Sequence, residues 1–166
     1  MIEKSPDIEA RLRELGLVLP DAPKPVAAYI PSRIAGNMLY VAGQIPFLNG
    51  TLIAKGKVGE GVSVEVGIAC ARQCALNGLA VMKGAIEAAG MAGGLGGLNR
   101  VRQVVRVGCF VACSPHFTDH SRVANGASEL LLEVFGERGR HARAAVGAPS
   151  LPLDAPVEVE FVVEVG

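Results

Sequence analysis

With 166 residues, half of them hydrophobic but only 4% aromatic, the chain has the size of one domain and must build its core from Val, Ala, Leu and Ile rather than from large rings. Sixteen basic side chains balance sixteen acidic ones, which argues against a nucleic-acid binder, a class that usually carries a basic surplus. Charged residues make up only 19%, too few to cover a monomer of this size, so subunits are expected to bury part of the surface against one another.

Residues 5–15 read as a short helix, with Ser5 as N-cap, Pro6 in the first turn, Ile8, Leu12 and Leu15 at i, i+4, i+7, and Gly16 as the stop. The proline-rich stretch from Pro20 to Pro25 reads as an extended linker. Residues 1–23 are therefore expected to form an N-terminal helix and linker, and 24–166 the main domain. Val26 to Ile30 and Met38 to Gln44 read as two strands around the turn residues Ala35-Gly36-Asn37, and Asn49-Gly50 is a further hairpin signal. Lys55 to Gly61 reads as a mobile surface loop.

Residues 62–90 give the clearest helix. Its only charged stripe is Glu65, Arg72, Lys83 and Glu87, so most of its circumference is expected to be buried. Gly93 to Gly97 lacks the Gly-Lys-Ser/Thr of a phosphate loop and reads as a plain connection. Gln103 to Cys113 is a Val-rich strand, and Asp119 to Phe135 an amphipathic helix with Val123, Ala127, Leu130, Leu131 and Val134 inside. Ala144 to Ala148 is a short strand. Val157 to Val165 alternates Val157, Val159, Phe161, Val163 and Val165 against Glu158, Glu160 and Glu164. The order predicts an α+β domain, a mixed sheet with two long helices on one face.

Four cysteines occur as Cys70/Cys74 and Cys109/Cys113, each pair spaced i, i+4. On a helix Cys70 and Cys74 could supply two metal ligands, but His116, His120 and His141 show no spacing that completes a tetrahedral site. They read as four reduced, buried thiols, with no metal. The N-terminus lacks a signal-peptide core and no run approaches a membrane span, so a cytoplasmic protein is expected.

Candidate chemistry centres on Arg143, at the mouth of a strand, and on Glu158. An arginine fork suits a carboxylate through two parallel hydrogen bonds, and a strand-borne glutamate nearby could orient a water or accept a proton. Taken alone, the pair reads more simply as a surface arginine and one solvated glutamate among three. Arg100, Arg102 and Arg106 form a local cluster, read as an ion network at a subunit interface.

Two motifs add a resemblance. The segment Arg143-Ala-Ala-Val-Gly-Ala-Pro-Ser-Leu-Pro, followed by the acidic alternating strand, resembles the C-terminal signature of the Rid (YjgF) family of enamine/imine deaminases. Gly36-Asn37-Met-Leu-Tyr-Val-Ala-Gly43-Gln44-Ile-Pro46 is similar to that family's early strand, and Tyr29 stands at the spacing of its active-site tyrosine. The resemblance covers roughly residues 24–165. It implies a chorismate-mutase-like (YjgF-like) fold, a homotrimer with a ligand cleft at each subunit interface, and hydrolysis of 2-imino or 2-enamino acids to 2-keto acids and ammonia without metal or cofactor. Carried over by position, Arg143 binds the substrate carboxylate, Glu158 positions the attacking water, the Gly43 backbone contacts the substrate, Tyr29 walls the cleft, and Asn125 joins from the second helix. Ala145 stands where deaminase members commonly carry Cys, Ile30-Pro31 replaces a more polar pair, and the N-terminal helix is an addition; all three mark a divergent branch. A non-catalytic trimer binding small carboxylates, and a ribonuclease or translation inhibitor, are the alternatives; the latter would need a basic groove with stacking aromatics.

Overall fold

The computed structural model describes residues 7–21, 29–93 and 96–166. Along them run α1 (Ile8–Glu14), β1 (Ser32–Ala35), β2 (Met38–Gln44), the two-residue strands β3 (Phe47–Leu48), β4 (Thr51–Leu52), β5 (Lys57–Val58) and β6 (Gly61–Val62), then α2 (Val64–Ala88), β7 (Val101–Ala112), α3 (His120–Phe135), β8 (Ala142–Ala148) and β9 (Val157–Val165).

Alternation decides β9. Val157, Val159, Phe161, Val163 and Val165 are buried, while Glu158, Glu160, Val162 and Glu164 lie half-buried on the reverse side, as a period of two requires. With one face fully apolar, β9 takes the middle of a five-stranded sheet ordered β1-β2-β9-β7-β8. All its pairings are antiparallel except β7 with β8. Helix α2 packs on β9 and β2, and α3 on β7 and β8, so both helices cover the same face. This is the mixed α+β architecture expected from the element order.

Ser63 starts α2 by accepting from the Val66 N–H at 3.2 Å. Farther along, Asn77 to Met82 are all buried, which encloses the helix on every side there. Its thin charged stripe is where it meets its neighbours: Glu65 pairs with Arg122 at 3.1 Å, Arg72 with Glu133 at 2.7 Å, and Lys83 with Glu9 at 3.2 Å. The four thiols are unpaired and buried. Asn49 and Gly50, at φ 52° and 83°, make the turn of the β3–β4 hairpin, the left-handed pair its tight geometry demands. No helix among the described residues is long and apolar enough to cross a membrane.

Several expectations change. The first helix is Ile8–Glu14 rather than 5–15, and its cap is Asp7, whose carboxylate accepts from the Glu9 and Ala10 N–H groups at 3.0 and 3.3 Å. Ser5 and Pro6 lie outside the described residues. The strand expected over 26–30 is not seen where it can be judged: 26–28 lie outside the described residues, Tyr29 and Ile30 are not in a strand, and β1 begins after Pro31, which has no N–H for a ladder. Residues 55–61, expected as a mobile surface loop, carry β5, whose Val58 is fully buried and bridges to Cys113, and end on Gly61 at the start of β6. Tertiary packing overrides the glycine and lysine content there. Arg106, expected in an inter-subunit ion network, pairs within the chain with Glu160 at 2.8 Å.

Candidate functional site

Arg143 is the second residue of β8, the edge strand. In register it faces Val107 of β7, whose side chain is buried against the helices, so the arginine projects from the helix-covered face. There α3 receives it. Nη1 donates to Asn125 Oδ1 at 2.9 Å and to Ser128 Oγ at 3.0 Å, and Nη2 to the Ser121 carbonyl at 3.3 Å. Asn125 and Ser128 are one helical turn apart and so share a face. These bonds use three of the five guanidinium N–H donors, and the two left over are what a bidentate carboxylate takes.

Behind the arginine stands His141. Its Nε2 lies 3.0 Å from Ser128 Oγ and its Nδ1 2.6 Å from the Gly139 carbonyl. A ring that donates from Nδ1 to Gly139 leaves Nε2 to accept the Ser128 hydroxyl proton, so the serine oxygen can face Arg143 as an acceptor. Burial holds His141 below its ordinary value, with the Arg143 charge adding to the effect against the Gly139 bond. A groove of about 370 Å³ runs past Ser128, Leu132, His141 and Arg143. Ser128 was not singled out from the sequence, and His141 was weighed there only as a metal ligand; the i+3 position of Ser128 relative to Asn125 was the signal that could have found it.

Glu158 and Gly43 form a second group. Between Val41 and Gln44 the β2–β9 register slips, a β-bulge that takes Gly43 out of the regular ladder. The Glu158 carboxyl lies over that glycine so closely that a Cβ there would fall 1.9 Å from its Oε1. The carboxyl thus rests where a side chain at residue 43 would stand, and any Cβ there would force the Glu158 side chain to swing aside. Burial, followed by the neighbouring charge of Glu160, raises Glu158 above the usual carboxylate range. Just beyond the bulge, the buried Asn77 amide donates to the carbonyls of Ile45 and Phe47 at 3.0 and 3.1 Å, pinning the chain where it leaves β2. Tyr29 is exposed (55%) and stands two residues ahead of Pro31, whose carbonyl accepts from Ala42 N–H at 2.9 Å.

The fold thus brings together Arg143 with Asn125, and Glu158 with Gly43. It does not bring the two groups to each other within one protomer. Glu158 pairs with Phe110, and Phe110 with Val146, which places the glutamate on the open face of the sheet. Arg143 lies three residues from Val146 on β8 and on the opposite face. Two strand spacings and three residue rises separate their Cα atoms by roughly 14 Å, with the sheet itself between the side chains.

A five-stranded mixed sheet, two long helices on one face, a bulge glycine under a glutamate and an arginine on the edge strand define a class of small α+β domains. The chain belongs to the family described as "YjgF/chorismate_mutase-like, putative endoribonuclease", whose model matches residues 9–165. It is 44% identical over 158 residues to Protein TCP17 of Trypanosoma cruzi, covering 95% of this chain and 93% of that one. Among solved structures, the protein Atu1372 of unknown function from Agrobacterium tumefaciens is 44% identical with a TM-score of 0.85, over 98% of this chain and 95% of that one. RidA from the Antarctic bacterium Psychrobacter sp. PAMC 21119 is 26% identical with a TM-score of 0.55, over 87% and 94%.

Proposed function

We propose that the protein hydrolyses reactive 2-imino and 2-enamino acids to 2-keto acids and ammonia, in clefts that two subunits of a homotrimer build together. The observation that carries this reading is Arg143, a guanidinium held on three sides by α3 with two N–H groups left for a carboxylate. Family membership and the likeness to a RidA support the reaction class.

Each residue then has a chemical task. Arg143 grips the substrate carboxylate and sets the C2 carbon in place. Glu158, raised above the usual carboxylate range by burial, takes a proton from the attacking water and returns it to the nitrogen as the carbinolamine collapses. The Gly43 peptide faces the reacting centre, Tyr29 closes the cleft, and Asn125 holds Arg143. Imines hydrolyse unaided in water, so positioning and one proton carrier are enough. Because Arg143 and Glu158 occupy opposite faces of one sheet, the Arg143 of one copy must meet the Glu158 of another.

The test is the rate of hydrolysis of 2-iminobutyrate and 2-aminoacrylate, generated in the cuvette, by wild type and by Arg143→Ala. Acceleration by wild type, cut at least about a hundredfold in kcat/KM by the variant, supports the reading. A folded wild type with no acceleration, yet with carboxylate binding that depends on Arg143, would shift it to a non-catalytic ligand-binding trimer.

A further inference from the structure

Cys113 differs from the other three thiols. Cys70, Cys74 and Cys109 sit between helices and sheet in the apolar core. Burial pushes Cys70 up to about 11, Cys109 up to about 12, and Cys74 well above its ordinary value. Cys113 also belongs to that core and is only 6% exposed, but it follows the last residue of β7 and borders a cleft of about 410 Å³ that Lys57, Ser114, Phe117, His120 and Gly147 also line.

Within that cleft Cys113 Sγ and His120 Nε2 are 3.4 Å apart, inside hydrogen-bond range for sulfur. Both partners are fixed from behind. The Cys113 N–H donates to the Ala148 carbonyl at 3.1 Å, and Val58 bridges to the same residue. His120 opens α3, and Phe117 packs edge-on against its ring with centroids 5.3 Å apart. The side facing the pair is glycine: a Cβ on Gly147 would lie 2.7 Å from Nε2 and 2.9 Å from Sγ. Any larger residue would crowd both reactive atoms. Lys57 makes no ion pair among the described residues, which leaves its ammonium available to an anion in the cleft.

We propose that Cys113 and His120 form a thiol nucleophile with its own base, a covalent site for small α,β-unsaturated carboxylates beside Lys57. His120 Nε2 takes the Sγ proton, and the thiolate adds to the β-carbon of the alkene, forming one C–S bond. The π pair moves to the α-carbon as an enolate, which takes the proton back from the imidazolium. Every atom of both partners stays in the adduct, and neither an oxidant nor a leaving group is needed. Lys57 sets the preference for a carboxylate. The site stands independently of the reading at Arg143.

The experiment treats the folded protein with acrylate, and separately with iodoacetate or iodoacetamide, and maps the adducts by peptide mass spectrometry. Cys113 is expected to label first, about tenfold or more ahead of each other cysteine, and iodoacetate to outpace iodoacetamide. His120→Asn should slow labelling about tenfold, Gly147→Ala should slow it by crowding Sγ, and Lys57→Ala should remove the preference for iodoacetate. Labelling of Cys70, Cys74 or Cys109 ahead of Cys113 would overturn the proposal, and so would His120→Asn reacting at the wild-type rate. The wild-type adduct map decides the first point even where a variant does not fold.

Discussion

The two faces of β9 divide the work of the protein. Its inner row, Val157 to Val165, is buried without a break, while its outer row carries Glu158, Glu160 and Glu164. The inner row secures the fold. The outer row carries charge: Glu158 lies over the bare backbone of Gly43, Glu160 over that of Gly108 while pairing with Arg106, and Glu164 accepts from Asn37. One strand therefore teaches two kinds of substitution: a change inside should cost stability and leave the chemistry, and a change outside should do the reverse.

The largest effect should come from the inner row. Phe161 is the largest fully buried side chain among the described residues, and its ring lies where Gly78 of α2 leaves space. Phe161→Ala is expected to cost about 3–5 kcal/mol of stability, read from guanidinium unfolding. A loss below about 1 kcal/mol would mean that the inner face does not hold the sheet to the helices.

Gly43→Ala should sharpen the contrast from the other side. The new Cβ meets the flexible end of Glu158, so the carboxyl swings away while the fold persists. We expect a stability change within about 1 kcal/mol but a fall of about tenfold or more in hydrolysis rate. Equal losses in both would place Gly43 in the fold rather than in the site.

The smallest effect concerns pH at the Arg143 group. His141 lies below its ordinary value in the folded chain, so the unfolded chain takes up the proton first as pH falls. Stability from this group is complete above the ordinary histidine value of 6.5 and is lost as pH drops from there toward the folded value. His141→Gln should flatten that part of the thermal-unfolding profile. An unchanged slope would mean that burial does not hold the ring neutral in the folded chain.

Much of this was readable from the residues because period and burial coincide. The clean alternation of β9, the thin polar stripe of α2 and the valine run of β7 each specify one face to bury. Arg143, Glu158 and Gly43 were found through two local motifs, and Asn125 through its place on α3. Register between strands was not readable, since it is fixed by pairing over long separations, and so neither were the opposite faces taken by Arg143 and Glu158. The Cys113–His120 contact has the same origin. Weighed as metal ligands, the cysteines and histidines showed no pattern, because a strand end and a helix start seven residues apart meet only through the turn between them. The cap was misplaced for a local reason: Ser5 and Asp7 are both good caps, and Asp7 wins through two backbone bonds.

Mixing two inactive proteins tests most directly whether the site is shared between copies. Arg143→Ala and Glu158→Gln are each expected to be inactive, and a protein carrying both changes should be inactive too. Refolded together in equal amounts, the two single variants should recover about one quarter of wild-type hydrolysis, because a random neighbour supplies the missing partner in half times half of the clefts. No recovery, from mixed trimers verified by native mass spectrometry, would contradict a site built from Arg143 of one subunit and Glu158 of the next.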